Sequence, residues 1–386
     1  MVQAVRNEER VRAVARRFGV SPGSVLFWIK RCKGQRLDRF NFEDRRSGPR
    51  NPWNRTPVRK ERRVLSMRKQ LRERSVLGEF GAQAIYRVLR EGGEREVPAV
   101  ATIGRILKRH GQTDAQARVR RPPPPRGWHL PTVAAGKAEL DSFDFIEDLK
   151  LEHGPQFSVL TATSVHGNQA DAWPRVAMGA REVVAGLTAR WRAMGLPDFA
   201  QFDNDTRFQG AHQFADTVGR VSRLCLALDV TPVFAPPLEH GFQNCIEAFN
   251  GLWQAKVWQR FHFASLESLQ SHSRDYIQAH RQRTTQRGEA APQRRPFPHQ
   301  WRFELDRPLD GTLIYLRRSD AQGYVRLLGR HFAVDRLWIH RLVRCEVHFE
   351  QQRILCYALR RRNPTDQPLL ADIPYQHPNK PFKGGT

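Results

Sequence analysis

Charge is segregated along this chain, and that segregation limits what it can fold into. The formal net charge of +25 over 386 residues is carried as +20 in residues 1–130, −3 in residues 131–290 and +8 in residues 291–386. Two basic arms therefore flank a slightly acidic middle. A basic arm concentrates polyanions by releasing their counterions, which favours nucleic acid of any sequence. An acidic middle repels phosphate unless cations intervene. The length suits two to four domains, and a hydrophobic content of 40% is enough to bury their cores. No apolar run approaches the ~18 residues of a membrane helix, and the first residues lack the apolar centre of a signal peptide. The expectation is a cytoplasmic protein with no membrane partner. Its five cysteines, Cys32, Cys225, Cys245, Cys345 and Cys356, form no C-x-x-C pair and read as reduced thiols.

The N-terminal arm carries two helix-turn-helix patterns. Val11, Val14, Ala15 and Phe18 line one helix face, Gly19 supplies a turn, and Ser21-Pro22 starts a second helix with Val25, Trp28 and Ile29 inward. Ser24, Phe27, Lys30 and Arg31 then face outward as a groove-reading set, although an ordinary helical hairpin has the same spacing. Farther on, Ile85, Val88 and Leu89 line one helix and Ile103, Ile106 and Leu107 the next, with Thr102, Arg105, Lys108 and Arg109 outward. Arg45 to Arg63 reads as a basic linker between the units. Arg118 to Arg126, with four consecutive prolines, reads as a stiff spacer.

The middle reads as three strands (Glu139–Asp148, Gln156–Val165, Gln169–Pro174), a helix (Arg181–Met194), a strand (Asp198–Phe202), a further strand (Val230–Phe234) and a long helix opening at Asn244. With a helix between the last two strands, the pattern is a mixed α/β layer fold. An acid lies on the first strand, Asp203-Asn204 ends a later one, and Asn244-x-x-Glu247 opens the final helix after a Pro-rich turn. In this order the chain resembles the integrase catalytic core of bacterial insertion-sequence transposases of the DDE type, within the retroviral-integrase superfamily.

That resemblance implies an RNase H-like core, a catalytic and metal-binding triad at Asp141, Asp203 and Glu247, and two Mg²⁺ (or Mn²⁺) ions. Paired divalent ions about 3.5–4 Å apart activate the attacking oxygen and stabilise the leaving one, so phosphodiester cleavage and strand transfer need no protein nucleophile. Asp144 is the rival for the first position, and Glu239 is a weaker rival for the last. His240 reads as a turn or packing residue. Lys256 and Arg260, along the helix of Glu247, are candidates for contact with terminal DNA. The chain departs from the family pattern at Asp205, where Gly is usual, and at Cys245 and Ala248. The Asp203–Glu247 interval of 44 positions is also longer than usual, with the extra length expected around Gln209–Arg223.

Short β-like runs at Tyr324, Arg330, Leu342 and Arg353 suggest a small separate antiparallel barrel. Arg281 to Pro298, basic and rich in Gln and Pro, reads as a linker. The expected organisation is multidomain: an all-α helix-turn-helix domain (1–50), a second, winged-type one (51–112), a Pro/Arg-rich linker (113–135), the RNase H-like core (136–290), a C-terminal β-barrel (291–365) and a tail (366–386). The implied function is an insertion-sequence transposase that binds terminal inverted repeats and target DNA as a homo-oligomer. A catalytically inactive, domesticated DNA-binding regulator is the alternative. A nuclease acting on RNA–DNA hybrids shares the fold but fits poorly with two DNA-reading units.

Overall fold

The computed structural model describes residues 1–43, 56–75, 78–113, 125–152, 154–211, 213–239, 241–361 and 364–378. The expected linker over residues 45–55, most of the proline-rich spacer and His240 lie outside these residues. The chain divides into two compact units, Met1–Glu61 and Arg62–Thr386. No helix among the described residues is long and apolar enough to cross a membrane.

In the first unit, α1 (Val2–Arg6), α2 (Val11–Arg17) and α3 (Pro22–Arg31) pack around Val14, Ala15 and Val25. Ser21 caps α3 by accepting the Ser24 N–H at 3.1 Å, and Pro22 takes the first helical position. Phe18, read as a core residue, is exposed, with the Arg17 guanidinium over its ring.

The second unit begins with a three-helix module. Helices α4 (Val58–Arg74), α5 (Ala82–Glu91) and α6 (Val100–Arg109) bury Val64, Met67, Ile85, Leu89, Ile103, Ile106 and Leu107 against one another. Part of the expected basic linker is therefore the start of α4. The segment before the core is also structured: Trp128, Leu130 and Val133 of α7 (Pro131–Ala134) are buried.

The core follows the expected order. Its strands are β1 (Leu140–Lys150), β2 (Gln156–Ser164), β3 (Ala170–Arg175), β4 (Phe199–Phe202) and β5 (Thr231–Phe234). Helix α8 (Ala180–Met194) precedes β4, while α9 (Thr206–Gln209) and α10 (Arg220–Ala227) fill the long interval before β5. The spatial order is β3-β2-β1-β4-β5, with β2 antiparallel to β1 and β3, and β4 and β5 parallel to β1. This mixed sheet fits an RNase H-like core. Successive side chains on a strand point to opposite faces. On one face Phe143 packs with Val183, Leu187 and Trp191 of α8 and with Leu224 of α10. On the other, Ile146 and Val159 pack with Ile246, Phe249 and Trp253 of α11 (Asn244–Trp253) and with Leu269 and Tyr276 of α12 (Leu266–Arg283).

The C-terminal part corrects the expected domain plan. After α13 (Thr285–Glu289), β6 (Thr312–Arg318) pairs in parallel with β5, Val233 opposite Ile314 and Phe234 opposite Tyr315. Strands β9 (Leu342–His348), β10 (Arg353–Ala358) and β11 (Leu369–Pro374) continue outward, so nine strands form one sheet. Only β7 (Tyr324–Leu327) and β8 (Arg330–Ala333) form a separate hairpin. No separate barrel closes among the described residues. The reason is that β5, paired with β4 on one edge, leaves its other edge open with apolar residues on both faces, and β6 completes it. β11 lies in the expected tail, and the expected linker after Arg281 contains the end of α12 and all of α13.

Because Leu313, Tyr315 and Val347 share one core cluster with Phe202 and Phe234, removal of residues 312–386 should unfold the core rather than trim an appendage. Circular dichroism and sedimentation of the shortened chain check this: the expected outcome is aggregation, whereas a separable barrel predicts a folded, monodisperse core.

Candidate active site

Strand parity decides which acid of β1 faces which helix. Asp141 and Asp144 are three residues apart, so they point to opposite faces of the sheet. Leu140, Ser142 and Asp144 share the face covered by α11. Ser142 lies beside Gln201 in the parallel β1–β4 register, which brings Asp144 level with Asp203 just past the end of β4.

Asp144 is tied to α11. Its Oδ2 accepts the Asn250 amide at 2.8 Å, and Asn250 Oδ1 accepts the Thr161 hydroxyl of β2 at 2.7 Å. Asn250 lies one turn after Glu247, and residues three apart lie on neighbouring parts of a helix face, so the same contact fixes the part of α11 that carries Glu247. The Asp144 carboxyl is pushed up to about 7, chiefly by burial and further by the negative charges of Asp203 and Glu247, against the opposing Phe145 N–H and Asn250 amide. Burial also raises Asp203, aided by Asp205 and Glu147. Asp203 and Glu247 thus each lie within electrostatic reach of Asp144, and divalent cations relieve such crowding of hard oxygen donors. Among the described residues, no three His, Cys, Asp or Glu side chains stand grouped as a metal cage. Asp144 is engaged with Asn250, and Glu247 is exposed and free to turn. The donor chemistry fits Mg²⁺ or Mn²⁺ once Glu247 rotates inward.

Asp141, the acid expected to bridge the ions, has another role. It is fully buried, with Arg190 Nε and Nη2 at 2.9 and 3.0 Å, Arg294 Nη1 and Nη2 at 3.1 and 2.5 Å, and Trp191 Nε1 at 3.1 Å. Burial alone would raise its pKa, but the two guanidinium groups outweigh this and hold it well below the usual carboxylate range. With both oxygens shared among five donors, Asp141 has no lone pair to offer a metal. Of the two β1 acids, Asp144 is the one on the face covered by α11.

The family departures find local explanations. Asp205 caps α9 through the Arg207 N–H at 2.8 Å, and its carboxylate pairs with the Arg207 guanidinium at 2.8 and 2.6 Å. The same guanidinium reaches Glu147 at 2.6 Å and stacks 3.7 Å from the Phe145 ring centre. The extra negative charge beside Asp203 is therefore partly offset within the chain. Asn204 joins neighbouring elements, donating to the Ala235 carbonyl at 2.7 Å and accepting from Arg317 at 2.9 Å. Cys245 is half-buried and Ala248 exposed.

Lys256 and Arg260 are also reassigned. A π-helical turn, Gln254–Trp258, continues α11. From it Lys256 donates to the Gly78 carbonyl at 3.0 Å, while Arg260 donates to the Ser75 carbonyl. Gly78 has a left-handed backbone (φ +60°) and sits so close to the Lys256 stem that a Cβ would collide with it. These cations hold the three-helix module to the core. Among the outward set of α3, Phe27 and Lys30 are exposed, Ser24 is occupied with Ser21, and Arg31 stacks on Trp28 and donates to the Glu43 carbonyl at 2.5 Å. On α6, Arg105, Lys108 and Arg109 are exposed and Thr102 is half-buried.

No protein-family model matches this chain, and no curated protein matches it. Among solved structures it is similar to the HTLV-2 integrase catalytic core domain in complex with magnesium, at 9% identity over 41% of this chain and 87% of that one, with a TM-score of 0.29. It is similar to the catalytic core domain of BIV integrase at 13% identity over 36% of this chain and 80% of that one, TM-score 0.27. A chain of the simian T-cell lymphotropic virus intasome in complex with PP2A regulatory subunit B56 gamma matches at 13% identity over 77% of this chain and 93% of that one, TM-score 0.33. The fit to an RNase H-like sheet lies in strand order and direction rather than in these low similarities.

The two β1 acids should separate in stability measurements. Asp141→Ala removes the carboxylate that Arg190 and Arg294 share, leaving the buried Arg190 with Asp171 alone, and should cost about 3–5 kcal/mol, read as a lower urea midpoint. Asp144 has a folded pKa above its unfolded value, so the folded state binds the extra proton. In metal-free buffer, stability from this group is present below about pH 4 and lost as pH rises through about 7. Asp144→Asn should therefore stabilise the protein at pH 8, by ~2–4 kcal/mol at most, and change little at pH 4. Equal effects at both pH values would contradict the assigned burial of charge.

Proposed function

We propose that this chain is a transposase-type polynucleotidyl transferase that cleaves and joins DNA strands, with Asp144, Asp203 and Glu247 as its catalytic carboxylates. The observation that carries the reading is the Asp144–Asn250 contact, which couples the first-strand acid to the helix bearing Glu247 while Asp203 stands level with it at the end of β4. The divalent ions that these residues would hold supply Lewis-acid stabilisation of charge on the attacking and leaving oxygens. Asp144 and Asp203 supply fixed oxygen donors from adjacent strands, so their spacing is set by the sheet rather than by flexible loops. Glu247, on a helix start and exposed, completes the set by rotation when the cations and a phosphodiester arrive. Arg207, shared by Asp205 and Glu147, offsets one of their two negative charges and so lessens the repulsion of incoming phosphate. Asn250 fixes the carboxylate plane of Asp144 and is itself fixed by Thr161.

The exposed Phe27 and Lys30 of α3, and Arg105, Lys108 and Arg109 of α6, are proposed to contact the terminal inverted repeats. The enzyme would work in the bacterial cytoplasm on nucleoid DNA, as a homo-oligomer that brings two element ends together. A second reading, a DNA-binding regulator without catalysis, is favoured by the absence of a closed carboxylate cage among the described residues.

A duplex carrying the DNA that flanks the gene, incubated with Mg²⁺ and the full chain, separates the readings. The transposase should nick at the element end, and Asp144→Ala, Asp203→Ala and Glu247→Ala should each reduce nicking to background while end binding persists. Binding without nicking in wild type favours the regulator. Nicking that survives in Asp144→Ala refutes the triad.

A further inference from the structure

A cavity of about 400 Å³ lies beside the carboxylates, between the sheet face bearing Ser142, the start of α11 and the segment Pro125–His129. Three of its lining residues carry buried polar atoms without a partner among the described residues. Ser142 is 1% exposed and Trp128 3%, yet the Ser142 hydroxyl and the Trp128 indole N–H have no partner among the described residues. His129, 2% exposed, has two unpartnered ring nitrogens and is held neutral by burial and by Arg344, so one of them carries a proton to donate. Buried polar groups of native proteins are normally satisfied, and each exception costs about 1–3 kcal/mol.

Helix α11 adds to this. Its start lines the cavity, and its N-cap residue, Gln243, gives it no side-chain cap; the Gln243 amide instead donates to the Phe143 carbonyl at 3.3 Å. The first N–H groups of a helix and its dipole favour an anion. Arg126 and Arg287 also line the cavity and lie close enough to repel one another. Glu139, the acid within reach of Arg287, spends its oxygens on the N–H groups of Leu140, His166 and Gly167 at 3.0–3.1 Å.

We propose that this cavity is a phosphate site, formed by Ser142, Trp128, His129, the start of α11, Arg126 and Arg287, that seats the backbone phosphate next to the scissile one. The position follows from the strand. Ser142 precedes Asp144 by two residues on the same face, about 7 Å along β1, a distance of the order of that between neighbouring phosphates on a DNA strand. The location relative to the scissile phosphate rests on the proposed function; the anion site itself does not. It gives the enzyme a grip on the strand that is independent of cations and fixes the scissile phosphate over Asp144 and Asp203.

The test uses the full chain, metal-free, in two arms. In the first, melting temperature is measured in inorganic phosphate against chloride of equal ionic strength. Wild type should gain several degrees in phosphate, and Ser142→Ala, Trp128→Phe and Arg287→Ala should lose most of that gain. Ser142→Ala and Trp128→Phe should melt no lower than wild type in chloride, because each deletes an unsatisfied donor while keeping the packing. A phosphate effect absent in wild type, or equal in all three variants, overturns the site. In the second arm, element-end duplexes carry one neutral methylphosphonate at successive positions. One position adjacent to the nick should weaken binding at least about tenfold in wild type and not in Arg287→Ala. Phosphate protection without any such position overturns the nucleic-acid source and leaves a site for free phosphate. If the duplexes are neither bound nor nicked, the proposed function fails while the first arm still judges the cavity.

Discussion

A carboxylate that takes no part in the proposed chemistry organises the structure. Asp141 is buried at the centre of the sheet between Arg190 and Arg294. Arg190 also reaches Asp171 of β3 at 2.6 Å, and Asp171 pairs with Arg281 of α12. One network thereby ties β1, β3, α8, α12 and the segment following α13. Burying these charges is costly, and it is compensated because nearly every donor and acceptor is matched. The return is positional. With Asp141 fixed on one side of β1, the pleat presents Asp144 on the other, and a shift by one residue would exchange the two faces.

Local pattern and long-range pairing divide what the sequence makes legible from what it does not. The core strands and α8 follow from alternation, helical period and turn residues, each a property of adjacent positions. Asp203 and Glu247 were readable as candidates because each sits where an element ends or begins. The choice between Asp141 and Asp144 was not, since two acids in one strand differ only in which face meets which helix, and the decisive partners, Arg190, Trp191 and Arg294, lie 49 or more positions away. Asn250 had a usable signal, its i+3 spacing from Glu247. Arg294 had none, lying in a Pro- and Gln-rich stretch that reads as a linker.

Two further misreadings share a cause. Lys256 and Arg260 look like free cations on a helix, and only the tertiary structure reveals the carbonyls of Ser75 and Gly78 in front of them. The C-terminal strands look like a self-contained set because their spacing is regular. Regular spacing reports strand length and turn chemistry, not which edge a strand joins. Parallel pairing of β6 with β5 spans some eighty positions and leaves no local trace. The three-helix module and the extended sheet are accordingly parts of one body with the core.

The parallel β5–β6 pairing also sets the order in which the protein can mature on the ribosome. Strand β5 emerges well before β6, and its hydrogen-bonding edge and the aromatic surface of Phe234 wait uncovered until that strand and β9 follow. Nascent chains are thus exposed to misassembly for the time needed to synthesise roughly a third of the polypeptide. Products of premature termination in that stretch would be cleared or aggregate, so only chains that have extended through β9 can complete the sheet.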